Sequence, residues 1–355
     1  MSDEKPSPPS MRQIAQALGI SASTVSLAMH NDPRVANSTR EQVQAYARIH
    51  GYRLNPALTG MMSQARRSVR SEYVETLGWI NNWDHPDYFI HRGVDFQREL
   101  WKGAETRAHS LGYQLHSFWQ AAPKMTGKRL SDILIARGVR GLLIPPLQKS
   151  YGHLSLQWEN FTPVALSLTL TRPRLHAVIP DHFINMRRIL RKLKQRNYQR
   201  VGLLLQQKYD DRLDNRISSA FYQYQHTLPP EQQIPVHNSP AENCDRPIRD
   251  WLATYRPDAV ITLGIYRHLR DLDVGDSDYS KRLGIALIGF AETDQGFAAI
   301  DENAYEIGKA GVDVLVAALN RNERGLPDQT ATTLINGKWI DGGTLAETTK
   351  PASPF

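Results

Sequence analysis

Residues 14–56 read IAQALGISASTVSLAMHNDPRVANSTREQVQAYARIHGYRLNP, and the spacing of small, apolar and capping residues in this stretch decides the fold around it. Extended back to Met11, the residues Met11, Ile14, Ala15 and Leu18 recur at intervals that put them on one stripe of a helix. Ser10 with Gln13 supplies a capping box at its start, where a hydroxyl accepts a free first-turn N–H and the amide side chain reaches back. Gly19 ends the helix, because glycine enters left-handed backbone geometry without a Cβ clash. Ser21 then caps a second short helix with Val25, Ala28 and Met29 inward. Asn37 or Ser38 caps a third, which carries Val43, Tyr46, Ala47 and His50 along one side. Ala15 lets the first two helices approach closely, and the turn at Gly19 leaves the first turn of the second helix facing outward. That is helix-turn-helix geometry within a small all-α bundle.

Charge points the same way. The chain has a formal net charge of +7, and from Ser10 to Arg70 eight arginines (12, 34, 40, 48, 53, 66, 67 and 70) face only Asp32 and Glu41. A basic face alone is most often just solvated. Joined to an outward-facing helix start, it suits the phosphates and major groove of double-stranded DNA.

These residues resemble the headpiece of the lac repressor (LacI) family of transcription regulators, and the resemblance runs on through Gly51-Tyr52-Arg53-Leu54-Asn55-Pro56. It implies that Ala22 and Ser23 open the recognition helix toward base edges. It also puts Ser21, Thr24, Ser26, His30, Arg34 and Thr39 at phosphate-touching positions, with the capping Ser10 counted in the same DNA-binding set. Leu27 stands where many members carry a guanine-binding arginine, so that bidentate contact is missing; Leu27 either meets a thymine methyl or packs. Beyond the head the family folds a hinge on DNA and wedges an apolar side chain into the minor groove. Met61 holds the matching position, followed by Met62, Arg66, Arg67 and Arg70. Gly60 costs a helix interior about 1 kcal/mol relative to alanine, so this hinge is expected to order only on DNA.

From Thr76 onward, apolar runs of strand length alternate with amphipathic helical stretches, the pattern of parallel α/β units. The strand candidates are TLGWI, YQLHSFW, GLLIPP, PVALSL, HAVIP, RVGLLL, AVITLG and GIALIGF. So many strands exceed one comfortable sheet, which implies two lobes. In the helical stretch from His182 to Tyr198, Phe183, Met186, Leu190 and Leu193 form the stripe expected to lie on a sheet. The segments around Leu111-Gly112-Tyr113, Gly138 to Ile144, Asn197 to Gly202, Ile288-Gly289-Phe290 and Asn303 to Gly308 are collinear with the same family. Its core is periplasmic-binding-protein-like, with a cleft for small effectors between two lobes.

The expected organisation is a disordered leader (1–9), a helix-turn-helix domain (10–53), a hinge (54–72), a two-lobed effector-binding and dimerisation core (73–343) and a flexible tail (344–355). Candidate effector residues are Trp79 and Trp119, as stacking faces or packing, Asp181, the family's acidic residue after a strand, and Arg212 and Arg216. Here the sequence departs from the family pattern: His182 replaces an asparagine, Thr262-Leu263-Gly264-Ile265 lacks an Asn-Asp pair, and Ala291-Glu292 replaces aspartates. A sugar or sugar-derivative effector, another effector, or a core that only dimerises all stay open.

The remaining features narrow the class. There is no GxGxxG after a strand, no GxxxxGK[ST], no HExxH and no GxSxG, so phosphate-cradling, zinc-hydrolase and nucleophile-elbow chemistry lack their residues. A single cysteine, Cys244, leaves no disulfide framework or cysteine-rich metal site, and no apolar run is long enough to cross a membrane. No cofactor, no metal and no enzymatic activity are expected, and the cytoplasm is the expected location. The partners expected are a pseudopalindromic DNA operator and a second copy of the chain, and the lack of a heptad tail after Thr344 sets a dimer as the expected ceiling. Repression is the expected output.

Overall fold

The computed structural model describes residues 9–29, 31–32, 34–50, 52, 75–149, 151–239, 245–289, 291 and 294–346. His30, the hinge region 54–72 with Met61, and nearly all of the leader and tail lie outside the described residues.

Helices α1 (Met11–Leu18), α2 (Ala22–Met29) and α3 (Asn37–Ile49) pack around Ile14, Ala15, Val25, Ala28, Val35, Val43 and Ala47, all buried. So small a core relies on the devices that fix its helix ends. The capping box forms: Gln13 N–H donates to Ser10 Oγ at 3.4 Å, and Ser10 N–H donates to Gln13 Oε1 at 2.7 Å. Gly19 closes α1 at φ 66°, its N–H directed at the carbonyls of Ala15 and Gln16. Thr24 N–H donates to Ser21 Oγ at 3.0 Å, which caps α2.

Helix α3 differs from expectation. Ala36, not Asn37 or Ser38, occupies its cap position, without a side-chain cap. The preceding loop drives Val35 into the core, and Arg40 closes it by donating to the carbonyls of Asp32 (3.1 Å) and Val35 (3.0 Å), so the helix starts one residue early. His50, expected on the inner side, is exposed at the helix end and lies beside Tyr46, with ring centroids 4.2 Å apart and the rings tilted by 33°.

The rest of the chain builds two six-stranded sheets, with a small two-stranded parallel one between Gly152–His153 and Leu170–Arg172. The first runs, edge to edge, Thr332–Ile335, His176–Pro180, Thr162–Ala165, Gly141–Ile144, Glu75–Asn81 and Tyr113–Trp119, all parallel. The second runs Lys338–Ile340, Ala298–Asp301, Gly284–Ile288, Ala259–Leu263, Val201–Gln206 and His237–Ser239, parallel except for the first strand. Helices cover both faces of the first sheet, so neighbouring residues serve different cores: Trp79 and Leu143 point into one, Ile80, Leu142 and Ile144 into the other. Each of the eight apolar segments contains a strand. Those the pattern missed, Gly152–His153, Leu170–Arg172, His237–Ser239, Ala298–Asp301, Thr332–Ile335 and Lys338–Ile340, are short, and all but Ala298–Asp301 sit at sheet edges, where side chains need not be apolar on both faces.

The chain passes between the lobes at residues 180–182, 301–304 and 335–338, and these crossings are tied together. Asp181 N–H donates to Ile335 O (2.8 Å), Asn303 Nδ2 to Asn336 O (2.7 Å), and Gly337 N–H to Asn185 Oδ1 (2.8 Å). The helix Ala304–Asn320 returns to the first lobe against Asp95–Ser110. A Cβ on Gly103 would lie 2.0 Å from Tyr305 O and one on Gly308 2.1 Å from Leu100 O, so this backbone approach admits only glycine. In the helix His182–Gln195 the buried stripe is His182, Asn185, Met186, Ile189, Leu190 and Leu193. Phe183, expected inward, is 40% exposed. The stripe is turned because the crossing draws polar His182 and Asn185 inward, His182 facing Glu302 at 3.1 Å and Asn185 bonding Gly337.

Candidate nucleic-acid interface

The turn at Gly19 delivers a group of hydroxyls to the start of α2. Ser21 Oγ lies 2.7 Å from Ser23 Oγ and 2.8 Å from Thr24 Oγ1. Ser21, Ala22 and Ser23 are exposed, while Thr24 and Ser26 are half-buried. This surface is small, uncharged and rich in hydroxyls that both donate and accept, so it approaches base edges and phosphates closely without imposing a fixed charge. Thr39 lies in the first turn of α3, which carries no acidic residue, and a helix start of that kind offers free N–H groups and a partial positive charge to a phosphate. Ser10 is exposed, its hydroxyl engaged with Gln13.

Arg34 is 74% exposed at its side chain but not idle. Its Nε and Nη2 donate to Asp32 at 2.9 and 2.8 Å, and Asp32 Oδ1 also accepts the Arg34 N–H at 3.0 Å. The guanidinium holds the Asp32 carboxyl well below the usual carboxylate range, and the pairing pushes Arg34 up. A phosphate therefore has to share or displace this acid. Leu27 is half-buried and packs on the head core, which favours packing over an extended thymine contact. The sequence reading missed Gln44, whose Nε2 donates to Ala28 O (3.1 Å) and Asn31 Oδ1 (2.8 Å) and so anchors the loop after α2. No local pattern marks a contact between residues so far apart in the chain.

Residues 10–55 match the family model of bacterial regulatory proteins, lacI family. The head belongs to the lacI family. No curated protein matches the chain in sequence. Among solved structures, a transcriptional regulator CelR–cellobiose complex is similar over 94% of this chain and 98% of its own, with TM-score 0.53 and 13% identity. The lac repressor dimer bound to operator and the anti-inducer ONPF covers 96% and 100%, with TM-score 0.52 and 16% identity. A regulator of the same family from Rhizobium etli covers 77% and 99%, with TM-score 0.56 and 16% identity. At such identities these likenesses establish the shared fold, a helical lacI-type head followed by a two-lobed α/β core.

Behind the lacI-family head, among the described residues, Arg212 reaches across the cleft between the lobes. Arg212, from the second lobe, donates through Nη1 to Gln148 O (2.8 Å) and through Nη2 to Leu147 O (2.7 Å) of the first. Burial pulls its pKa below the ordinary arginine value. Around the same loop, Trp83 Nε1 donates to Pro146 O (2.7 Å), Trp119 Nε1 to Trp83 O (2.8 Å), and Tyr88 stacks on Trp83 at 4.1 Å and 12°. Trp119 and Arg212 are thus brought to one neighbourhood, joined by Trp83 and Tyr88, which the sequence reading passed over. A cavity of about 410 Å3 beside them is lined by Asn82, Gln120, Met125, Gln148, Lys149 and His153 among others, all from the first lobe.

The other effector candidates lie elsewhere. Trp79 is fully buried, wedged edge-on against Phe89 and Trp101 at 5.2 and 5.3 Å, so it has no face to offer a ligand. Its strand is buried on both sides, which sequence alternation could not reveal. Asp181 caps the helix His182–Gln195 by accepting the Ile184 N–H at 3.0 Å. Arg216 opens the helix Arg216–Gln225, but Arg212 precedes it, at the end of the short helix Gln207–Asp211. Among the described residues no group of three or more His, Cys, Asp or Glu is arranged to hold a metal, and no helix is long and apolar enough to cross a membrane.

Proposed function

We infer that the protein is a sequence-specific DNA-binding transcription regulator, acting as a homodimer on a pseudopalindromic operator, with repression as its output. The observation that carries this reading is the exposed hydroxyl-bearing first turn of α2 behind the Gly19 turn, in a head of the lacI family. Ser21, Ala22, Ser23, Thr24, Ser26, Leu27, Arg34 and Thr39 are its proposed contact set, with Ser10 supporting α1, and His30 and Met61 added from outside the described residues. Two heads related by a two-fold axis would read two half-sites one helical turn or a multiple apart. No bond-making step, cofactor or metal is assigned, and the cytoplasm is the location that goes with such a role.

Selection of bound sequences from a random duplex pool tests the reading. A palindromic pair of half-sites is expected. Affinity for the selected site should fall about tenfold or more over a severalfold rise in salt, as engagement of about five or more phosphates requires. Random recovery with a flat salt response would remove DNA from the account.

The solved relative holding cellobiose supports a sugar or sugar derivative as effector of the core. Arg212 favours a second reading, in which the core only dimerises, because its guanidinium already joins the lobes from within the cleft. A thermal-shift screen against sugars, sugar phosphates and nucleosides separates the two. A shift by any of them supports effector control, and silence from all supports the self-closed core.

A further inference from the structure

From His182 through Tyr209 the chain has eight Lys or Arg residues and no Asp or Glu. The structure divides the cations of its helix His182–Gln195 and the residues just after it into two groups. Arg188 donates to Gly337 O, Arg196 pairs with Asp341 at 2.7 Å, and Lys192 and Arg196 lie over the Trp339 ring at 5.9 and 6.0 Å. Arg187, Arg191 and Lys194 have no hydrogen-bond or ion-pair partner among the described residues and are exposed. They recur at i, i+4 and i+7, one row about 10 Å long at the helical rise of about 1.5 Å per residue. The helix dipole favours Lys194 in the last turn but gives nothing to Arg187 in the middle. Solubility alone would be served by glutamates four residues before the cations, and there are none.

The helix Arg216–Gln225 packs alongside, likewise without an acidic residue, and exposes Ser219, Tyr222 and Gln223. We propose that this two-helix face of the second lobe is a second docking surface for duplex DNA, which it holds through the sugar-phosphate backbone outside the site read by the head. Protein partners generally bury a charge-poor centre around an aromatic or arginine anchor, whereas DNA partners meet polar, strongly positive surfaces. This face is of the second kind. Duplex DNA carries one charge per about 1.7 Å of axis, so a 10 Å row of cations spans several phosphates. The surface lets a head-bound dimer gather a distant stretch of duplex.

The proposal rests on DNA being the chain's partner, and the test separates the two claims. Full-length protein is titrated by anisotropy against a random 80-base-pair duplex, the selected operator and an acidic peptide over a salt series, in five forms: wild type, R187Q/R191Q/K194Q, R187K/R191K, the head variant S23E/S26E, and the head variant combined with R187Q/R191Q/K194Q. The glutamine variant should lose about 2–3 from the slope of log affinity against log salt, at roughly 0.9 per phosphate. The lysine variant should keep it, showing that charge and not folding is read. The head variant should lose the selected operator yet retain residual duplex binding that the core substitutions abolish. Duplex binding by the glutamine variant equal to wild type overturns the proposal, even if that variant is weakened on an acidic peptide. A head variant that still binds the operator at full strength would instead overturn the assignment of the head.

Discussion

At the residue scale, Gly19 and the Asp32–Arg34 pair concentrate the chemistry of the head. Gly19 sits at φ 66°, and a Cβ there would meet nothing within 4 Å. Replacement by alanine therefore adds backbone strain alone, about 1–2 kcal/mol, and asparagine, which tolerates that region, should cost less. Hydrogen exchange of the α1 and α2 amides is the measurement, since a chain of several units does not unfold in one step. An equal cost for both residues would point to a different origin. For Arg34, D32N removes the acid that holds the guanidinium and should tighten binding to random duplex, whereas R34Q should lower the salt slope by about 1. Anisotropy reads both. The carboxyl of Asp32 is held low by the Arg34 hydrogen bonds, so its contribution is complete above the unfolded value near 3.9 and lost as pH falls through the lower folded value.

At the element scale, the strand His237–Ser239 offers a pH test. Burial lowers the pKa of His237, whose Nε2 has no hydrogen-bond partner among the described residues and whose ring lies 5.6 Å from that of Trp251. The unfolded chain then takes up the proton more readily than the folded one. Stability should fall as pH drops below about 6.5, and the fall ends once pH passes beneath the depressed folded value. Urea midpoints of the second lobe at pH 7.5 and 5.5 should converge in H237N relative to wild type; an unchanged gap would acquit the histidine. The loop carrying Leu147 and Gln148 offers another test. R212Q removes two hydrogen bonds from a charged donor, each worth about 1.5–3 kcal/mol at most. Amides at 147–149 and 207–215 should exchange on the order of tenfold faster, while those of the strands stay protected. No change would mean that the crossing segments alone hold the lobes together.

At the scale of the whole molecule, the lobes are joined by three chain crossings whose hydrogen bonds interlock around Asn185, Asn303 and Gly337. Such a joint permits rotation with little change inside either lobe, the usual basis for closure around a ligand. Asn185→Ala leaves the Gly337 N–H without its acceptor in a buried place, which should destabilise by about 1–3 kcal/mol. In a thermal melt both lobes should soften together, because the bond belongs to the joint; loss confined to one lobe would contradict that.

How far the sequence reached follows from how local each signal is. Capping boxes, the Gly19 turn and the alternation of apolar runs with amphipathic stretches act within a few residues, so the head helices, the eight principal strands and the lacI-family character of residues 10–55 were legible. Edge strands such as Thr332–Ile335 were not, since their pairing depends on a distant neighbour and not on their own pattern. The burial of Trp79, the turned stripe of His182–Gln195 and the reach of Arg212 across the cleft arise only where segments remote in the chain meet. The sequence alone determined a helical DNA-type head on a two-lobed α/β core, because those follow from short-range periodicity. Which aromatic faces the cleft, which cation bridges it and which cations are left facing solvent were decided by tertiary structure, because a side chain's role depends on what packs beside it.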